Sequence, residues 1–402
     1  MTLPPLVCHC HLRWAFTFQR PNHLMVRFAR ERTVYYVEEP VFGSFEGSGS
    51  GPQLRTHEVV PNLWVCTPHL PPPVAARPGV EAEQQVARLL AAFLRDRGVS
   101  QPLCWFYTPM ALPTTEEVSP GVVVYDCMDE LTLFSGAPDE LVERERALLA
   151  RADLVFTGGH SLYRAKRAQH GAVYAFPSSV DVEHFRADGQ ALGDPSDQRN
   201  IPRPRIGFFG VIDERMDMEL LRRAAEARPD YQFVLIGPVV KIPESSLPRS
   251  SNIHYLGSKQ YAELPAYLHG WDVAMMPFAL NDATRFISPT KTLEYLAADK
   301  PVVSTAVSDV VVPYGDRGQV MIANSRGFPD ALDVALDRTS AENRARARQA
   351  LEGISWDRTW SEMATLVRDV EQRKQRLSDV ATRGLAHDAN IEETEAATCT
   401  TI

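Results

Sequence analysis

The 402-residue chain has no long hydrophobic run. No stretch approaches the roughly twenty apolar residues of a membrane-spanning helix. The first residues contain no basic segment followed by an apolar core, which leads us to expect a cytoplasmic protein. The net charge of −9 lacks the positive excess that nucleic acid binding requires, so nucleic acid is not expected as a partner.

Cysteine is scarce and follows no paired pattern. The six cysteines include no C-x-x-C arrangement, and five lie in or beside apolar runs. The run Cys8-His9-Cys10-His11 has metal-ligating residue types, but an extended strand would direct its cysteines and histidines to opposite faces. We therefore favour buried free thiols in a reducing compartment over a metal site.

The composition that remains is that of a globular protein. Hydrophobic residues make up 44% of the chain and charged residues 23%. The length suits two domains of medium size.

Short apolar runs alternate with helical patterns in the first part of the chain. Several runs are apolar throughout, as parallel strands covered on both faces would be. The predicted strands are Leu6–Cys10, Val34–Val37, Leu63–Cys66, Leu103–Tyr107, Val122–Tyr125, Leu154–Thr157 and Val173–Phe176. Helices are predicted at Pro21–Glu31, Glu81–Arg97 and Asp139–Arg151. This alternation predicts a doubly wound α/β sheet.

A polar stretch without periodicity at residues 186–204 predicts an interdomain linker. After it the alternation restarts, with predicted strands at Ile206–Phe209, Phe233–Ile236, Ile253–Leu256, Val273–Met276, Val302–Ser304 and Val320–Ile322. Helices are predicted at Met218–Arg228, Tyr261–His269 and Thr290–Ala298. We therefore expect two Rossmann-like domains facing a cleft, residues 1–185 and 205–355. An amphipathic helix at 356–378 and a disordered polar tail at 379–402 would follow.

The segment Ser288–Thr305 reads S-P-T-K-T-L-E-Y-L-A-A-D-K-P-V-V-S-T, which predicts a short helix and then a buried strand. The start of a helix offers backbone N–H groups and partial positive charge to an anion, and Lys291 adds a full charge. Glu294, about one turn further along, could accept hydrogen bonds from a pair of sugar hydroxyls. The spacing indicates a nucleotide-diphosphate site, with an ordinary capped helix as the alternative.

This segment resembles the donor-binding helix of GT-B glycosyltransferases, especially family 4, in which a glutamate before A-A-G-x-P-V-V contacts the donor ribose. The stretches Q-R-P-x-H-L, V-E-E-P and F-F-G-V-I-D-E-R are similar to a group of bacterial glycosyltransferases from polysaccharide loci. The resemblance covers most of the chain. It implies the GT-B architecture, with two Rossmann-like domains and a C-terminal helix that crosses back to the first.

The same resemblance implies an activity. A sugar would move from a nucleoside diphosphate donor, UDP rather than GDP, to a hydroxyl acceptor in exopolysaccharide or cell-surface glycan synthesis. A lipid-linked glycan acceptor and peripheral contact with the inner face of the membrane are open expectations. No D-x-D pair lies at a strand end of the second domain, so we predict no metal and no cofactor. A non-catalytic sugar-nucleotide-binding partner protein and a non-hydrolysing sugar-nucleotide epimerase are the alternatives.

The resemblance places the donor site in the second domain. The glycine turn after its first strand would approach the diphosphate. The predicted donor-binding residues are Gly210, Arg215, Lys241, Tyr255, Ser288, Thr290, Lys291, Thr292 and Glu294. Two departures from the family pattern stand out: no lysine follows Arg215, and Phe286 occupies the position of a second glutamate near the transferred sugar. Solvent exposure of Lys241 and core packing of Tyr255 are the alternative interpretations.

Two carboxylates follow the buried strand V-V-V-Y in the first domain. A carboxylate at a strand end can take the proton of an acceptor hydroxyl, so Asp126 and Asp129 are the catalytic candidates. The basic, aromatic loop after the first strand predicts ligand contact at the carboxyl edge of the sheet, with packing between domains as the alternative. The acceptor-side candidates are Arg13, Trp14, Arg20, His23 and His160.

Overall fold

A computed structural model of the chain describes residues 3–43, 51–72, 78–186 and 193–398. Within these ranges the strands form two separate sheets, one of nine strands and one of six. The predicted pair of doubly wound domains is confirmed. We refer to the parts of the chain built on these sheets as the N-terminal and the C-terminal domain.

The N-terminal sheet has the strand order β3-β5-β2-β1-β6-β7-β8-β9, and β4 pairs with β5. Its strands are β1 (Leu6–Cys10), β2 (Val34–Glu38), β3 (Val41–Phe42), β4 (Gln53–Val60), β5 (Leu63–Leu70), β6 (Leu103–Phe106), β7 (Val122–Cys127), β8 (Leu154–Thr157) and β9 (Val173–Ala175). All pairings are parallel except that between β4 and β5. Every residue of β1, β6, β7 and β8 is buried, as expected for parallel strands covered on both faces.

The C-terminal sheet is entirely parallel, in the order β12-β11-β10-β13-β14-β15. Its strands are β10 (Arg205–Phe209), β11 (Gln232–Ile236), β12 (Ile253–Tyr255), β13 (Val273–Met276), β14 (Val302–Ser304) and β15 (Met321–Ile322). The carboxyl ends of parallel strands all meet at one edge of a sheet, where ligands usually bind.

Helices connect the strands in both domains. They are α1 (Arg20–Phe28), α2 (Pro78–Asp96), α3 (Leu141–Arg151), α4 (His160–Lys166), α5 (Val182–Phe185), α6 (Met218–Ala227), α7 (Leu264–His269), α8 (Lys291–Ala297), α9 (Ser308–Val310), α10 (Phe328–Leu336), α11 (Ser340–Leu351) and α12 (Trp356–Thr398). Short 3-10 turns also precede α3 and α7.

The last helix, α12, packs on the N-terminal domain, which confirms the predicted crossing back. Trp356, Met363 and Val367 are fully buried in the same apolar cluster as Leu24 and Phe28 of α1. Charged pairs surround this contact: Arg27–Asp357, Arg32–Glu371, Arg368–Glu31 and Lys374–Asp153. The first turns of α12 therefore complete the apolar core of the N-terminal domain.

The predicted linker and the predicted tail differ from what the structure shows. Residues 187–192 of the predicted linker lie outside the described residues, but Gln198 is buried and accepts a hydrogen bond from the Trp271 indole at 2.9 Å. This part of the stretch is thus packed on the C-terminal domain. The predicted disordered tail is helical as far as Thr398, in a segment rich in the helix formers Ala and Glu. Residues 399–402 lie outside the described residues.

The cysteines of the described ranges are buried free thiols, as predicted. Cys8 and Cys10 face one apolar cluster of the N-terminal domain and Cys66, Cys104 and Cys127 face a second; Cys399 lies outside the described residues. Among the helices of the described ranges, none has the length and apolar character that crossing a membrane would require.

Candidate active site

A cavity of about 200 Å³ lies between the two domains, at the carboxyl ends of both sheets. The N-terminal domain contributes residues 17–20 after β1, 128–129 after β7, Gly158 after β8 and Ser178 after β9. The C-terminal domain contributes the ends of β10 and β11, the turn after β12, and the segment from Ile287 to Glu294. The fold therefore brings together segments that are distant in sequence.

Lys291 and Glu294 lie one turn apart on α8, and both line the cavity. The Lys291 ammonium lies 5.3 Å from the ring centres of Phe208 and of Phe278, while Glu294 is 7% exposed. Neither side chain forms a hydrogen bond or an ion pair with another described residue. A buried cation and carboxylate without hydrogen-bond partners, facing a cavity, are typical of a ligand site.

Burial shifts the pKa of both Lys291 and Glu294. It raises the pKa of Glu294 to about 7, against the opposing effect of Lys291. It lowers the pKa of Lys291 to about 8, and the nearby Arg215 lowers it further, while Glu294 raises it. Each group is thus poised near neutral pH, where the charge of a bound ligand would decide its protonation.

Two glycines form the floor beside Lys291. Gly210 has φ +138° and Gly237 φ +140°, a region that favours glycine. A Cβ on Gly237 would lie 1.9 Å from the Gly210 carbonyl oxygen, and one on Gly210 would lie 3.2 Å from the Lys291 ammonium. The turns after β10 and β11 therefore pack against each other, and Gly210 packs against Lys291, more closely than side chains at these positions would allow.

Arg215 also lines the cavity and is held in place by Asp213. Its guanidinium donates to both Asp213 carboxylate oxygens, at 2.7 to 3.1 Å. A paired, oriented guanidinium keeps further N–H groups for a phosphate. Lys241 does not line this cavity; its ammonium lies 5.9 Å from the Phe134 ring centre of the N-terminal domain.

On the opposite wall, the structure places Asp129 at the cavity and Asp126 away from it. Asp126 is fully buried, and its carboxylate accepts three hydrogen bonds from the Arg20 guanidinium at 2.8 to 3.1 Å. Arg20 itself reaches the cavity wall. Burial raises the pKa of Asp129, opposed by the nearby Arg215. Asp126 thus orients Arg20, and Asp129 is the carboxylate of this wall that faces the cavity.

The other acceptor-side candidates lie outside the cavity. Arg13 pairs with Glu38 at 3.0 Å, and the Trp14 backbone N–H donates to the same carboxylate at 2.8 Å. His23 is buried, and its ring stacks on Trp356 of α12 with 4.6 Å between centres. His160 is exposed at the start of α4 and borders a second, neighbouring cavity. His23 therefore packs against α12 and does not line the cavity, which agrees with the alternative interpretation that residues of this loop serve packing.

Two predicted donor residues also face elsewhere. The Tyr255 hydroxyl donates to the Pro248 carbonyl at 3.1 Å, and the Thr292 hydroxyl contacts the Met276 sulfur at 3.4 Å. The segment from the end of β12 to the start of α7 instead presents four residues outside the predicted donor set, namely Ser258, Lys259, Tyr261 and Leu264. A glycine at 257 with φ +69° was the available signal for a turn exposing the residues beyond it.

No three His, Cys, Asp or Glu side chains lie together as metal ligands in the described part of the chain. The pattern of cysteines and histidines at the start of the chain is split between faces. Cys8 and Cys10 face one apolar cluster, whereas His9 stacks on Phe106 with 4.8 Å between ring centres.

Comparison with known proteins connects this site to a family. Residues 203–338 match the family model described as Glycosyl transferases group 1. TuaH of Bacillus subtilis (strain 168), a glycosyltransferase attributed to teichuronic acid biosynthesis, is 29% identical over 235 residues. That match covers 52% of this chain and 58% of the relative's length.

Solved structures share the fold across nearly the whole chain. Sucrose-phosphate synthase from Thermosynechococcus elongatus has a TM-score of 0.67 at 14% identity, covering 92% of this chain and 99% of that one. A trehalose-6-phosphate structure from E. coli, bound with UDP-2-fluoro glucose, has a TM-score of 0.65 at 14% identity, with coverage of 92% and 99%. Residues 203–338 are thus similar to the glycosyl transferases group 1, and the chain as a whole has the GT-B architecture.

Proposed function

We propose that the chain is a glycosyltransferase that moves a sugar from a nucleoside diphosphate sugar to a hydroxyl acceptor. The observation that carries this proposal is the cavity itself. Lys291 and Glu294 of one domain face it from α8, and Asp129 of the other domain faces it from the end of β7. Sugar transfer needs a cation for the diphosphate, a carboxylate that accepts hydrogen bonds from the donor sugar hydroxyls, and a base for the attacking hydroxyl. Lys291, Glu294 and Asp129 provide these three groups around one interdomain cavity.

The donor would bind to the C-terminal domain. Lys291, Arg215 and the backbone at Gly210 and Gly237 would contact the diphosphate. Glu294 would accept hydrogen bonds from two ribose hydroxyls, because its carboxylate has no hydrogen bond to another described residue. UDP is the favoured nucleotide. The E. coli structure of the same fold binds a UDP sugar, and a neighbour from Burkholderia xenovorans is a UDP-forming trehalose-phosphate synthase.

The reaction needs charge stabilisation and a proton acceptor. As the bond between sugar and diphosphate breaks, negative charge develops on the leaving diphosphate, and Lys291 and Arg215 would stabilise it. Asp129 would accept the proton of the attacking hydroxyl, a role that its raised pKa favours. Because both domains wall the cavity, closure would exclude water and suppress donor hydrolysis.

Cell-surface polysaccharide synthesis is the proposed setting. The support is the Bacillus relative, whose name connects it to teichuronic acid. The acceptor would then be a growing glycan, with a lipid-linked glycan presented at the membrane surface as the form to test first.

The test is donor binding followed by turnover. Calorimetry with UDP and GDP should show binding, preferentially of UDP. Lys291→Met should weaken UDP binding by about a hundredfold, since a charge-assisted contact is lost. The matched substitution Lys241→Met, outside the cavity, should change it little. Release of UDP from UDP-sugars should require an acceptor. Absence of binding to either nucleotide would overturn the proposal.

A further inference from the structure

Ser178 connects the N-terminal domain directly to the residues that precede α8 in the C-terminal domain. It follows β9, and its hydroxyl donates to the Ser288 carbonyl at 2.7 Å. The Thr290 hydroxyl donates in turn to the Ser178 oxygen at 3.1 Å. Ser288 and Thr290 both line the cavity and immediately precede Lys291. One side chain of the first domain therefore holds two groups of the cavity wall formed by the C-terminal domain, which we call the donor wall.

A second contact lies beside the first. Asp309 of α9, in the C-terminal domain, is 7% exposed. Its two carboxylate oxygens accept the backbone N–H of Ser161, at the start of α4 in the N-terminal domain, at 3.0 and 3.3 Å. A buried carboxylate satisfied by the other domain fixes the separation of the domains on this side of the cavity.

Gly159 lies where the two domains meet most tightly on this side. A Cβ on Gly159 would lie 2.0 Å from an Asp309 carboxylate oxygen and 2.9 Å from the Ser288 Cβ. The backbone of Gly159 is extended, so the missing side chain matters for space and not for conformation. The domains can close to this distance only because residue 159 has no side chain.

We propose that Ser178 is a positioning residue for the donor, and that Gly159 permits the closure on which it depends. This inference rests on the proposed function. Ser178 orients Ser288 and Thr290 from across the domain boundary, so the part of the site that meets the diphosphate is complete only in the closed cleft. Donor binding and domain closure are then coupled: each favours the other.

The first experiment removes the hydroxyl. Ser178→Ala should weaken UDP binding by roughly tenfold, because two hydrogen bonds that orient the site are lost. Uridine binding should not change, since it reports the ribose and base alone. Ser178→Thr, which keeps the hydroxyl, should restore UDP binding. The control is Ser179→Ala: the Ser179 hydroxyl is buried without a partner among the described residues, so its loss should not weaken binding.

The second experiment separates the domains. Gly159→Ala should weaken UDP binding and increase the radius of gyration of the UDP-bound protein in small-angle scattering. Gly171→Ala is the matched control, since a Cβ there meets nothing within 4 Å. Thermal unfolding of each variant establishes that it is folded.

The outcomes separate the two proposals. If the wild-type chain binds neither UDP nor GDP, the proposed function fails. If the wild type binds UDP and Ser178→Ala binds it equally well, or loses UDP and uridine alike, only the role of Ser178 fails. Unchanged binding and size in Gly159→Ala would overturn the coupling to closure.

Discussion

The two walls of the cleft use their charged residues differently. In the N-terminal domain, Arg20 is neutralised by Asp126 and Arg13 by Glu38. In the C-terminal domain, Lys291 and Glu294 make no hydrogen bond or ion pair with any other described residue. Arg215, paired with Asp213, is intermediate.

This difference distinguishes charged residues that stabilise the fold from charged residues that are available to a ligand. In a buried ion pair, the attraction between the two charges already offsets the cost of their desolvation. Such a pair stabilises the local structure but interacts only weakly with a ligand. A buried group without a partner gains its compensation only from a bound molecule. On this reasoning the donor wall is built to receive charge. The opposite wall, formed by the N-terminal domain, pairs its arginines internally, and among its described residues Asp129 is the carboxylate that lines the cavity.

Replacing Asp129 and Asp126 separately by asparagine is the strongest test of this comparison. Asp129→Asn should lower the rate by a hundredfold or more, at nearly unchanged donor affinity, because a general base typically contributes about 10²–10⁴. Asp126→Asn should instead destabilise the fold by roughly 3–5 kcal/mol, because it leaves the buried Arg20 without its counter-charge. Turnover and thermal unfolding of both variants decide. A slow but fully stable Asp126→Asn enzyme would reverse the assignment.

Removing the donor carboxylate should have the next largest effect. Glu294→Ala should weaken UDP binding by about tenfold to thirtyfold through the loss of the ribose contacts. Its stability should not fall, since no partner is left behind. Glu226→Ala, on the exposed face of α6, is the matched control and should bind UDP like the wild type. Equal affinity of the two variants by calorimetry would sink the ribose assignment.

A smaller effect is expected from pH. Hydroxyl donation to Glu294 requires the carboxylate, which is lost as the pH falls through about 7. Diphosphate binding requires the Lys291 ammonium, which is lost as the pH rises through about 8. UDP affinity should therefore be highest between these values and decline by several-fold on either side. Glu294→Gln should abolish the decline on the acid side; if that decline persists, it belongs to another group.

The smallest expected effect is that of a chelator. With Lys291 and Arg215 to stabilise the leaving diphosphate, turnover in excess EDTA should equal that without it. Restoration of lost activity by added divalent cations would show that the donor wall needs a further positive charge.

The sequence predicted the sheets well because most strands are continuous apolar runs. It did not predict β4, in which polar and apolar residues mix at a pairing site on the sheet margin. The turn at Pro61 and Asn62, where Asn62 has φ +68°, was the available signal for this antiparallel pair.

Local spacing predicted that Lys291 and Glu294 lie one turn apart on one helix, and the structure places both at the cavity. Their assignment to a donor site needed the family resemblance in addition and stays a prediction. Local spacing could not decide between Asp126 and Asp129. That choice depends on Arg20, which is 106 residues from Asp126 in sequence and meets it only in the folded sheet. The sequence also could not predict the role that we propose for Ser178, because its partners Ser288 and Thr290 lie in the other domain.

The packing of α12 on α1 has a consequence for synthesis of the chain. The apolar cluster under β1 and β6 is covered by Trp356, Met363 and Val367, which are synthesised after all strands of the C-terminal domain. Although domains generally fold from the N-terminus as they emerge, here the second domain is complete in sequence before the first. The first domain must therefore wait, partly uncovered, until α12 has been synthesised. Any exchange of the donor domain between relatives would have to be made as an insertion, with α12 kept beside the domain that it completes.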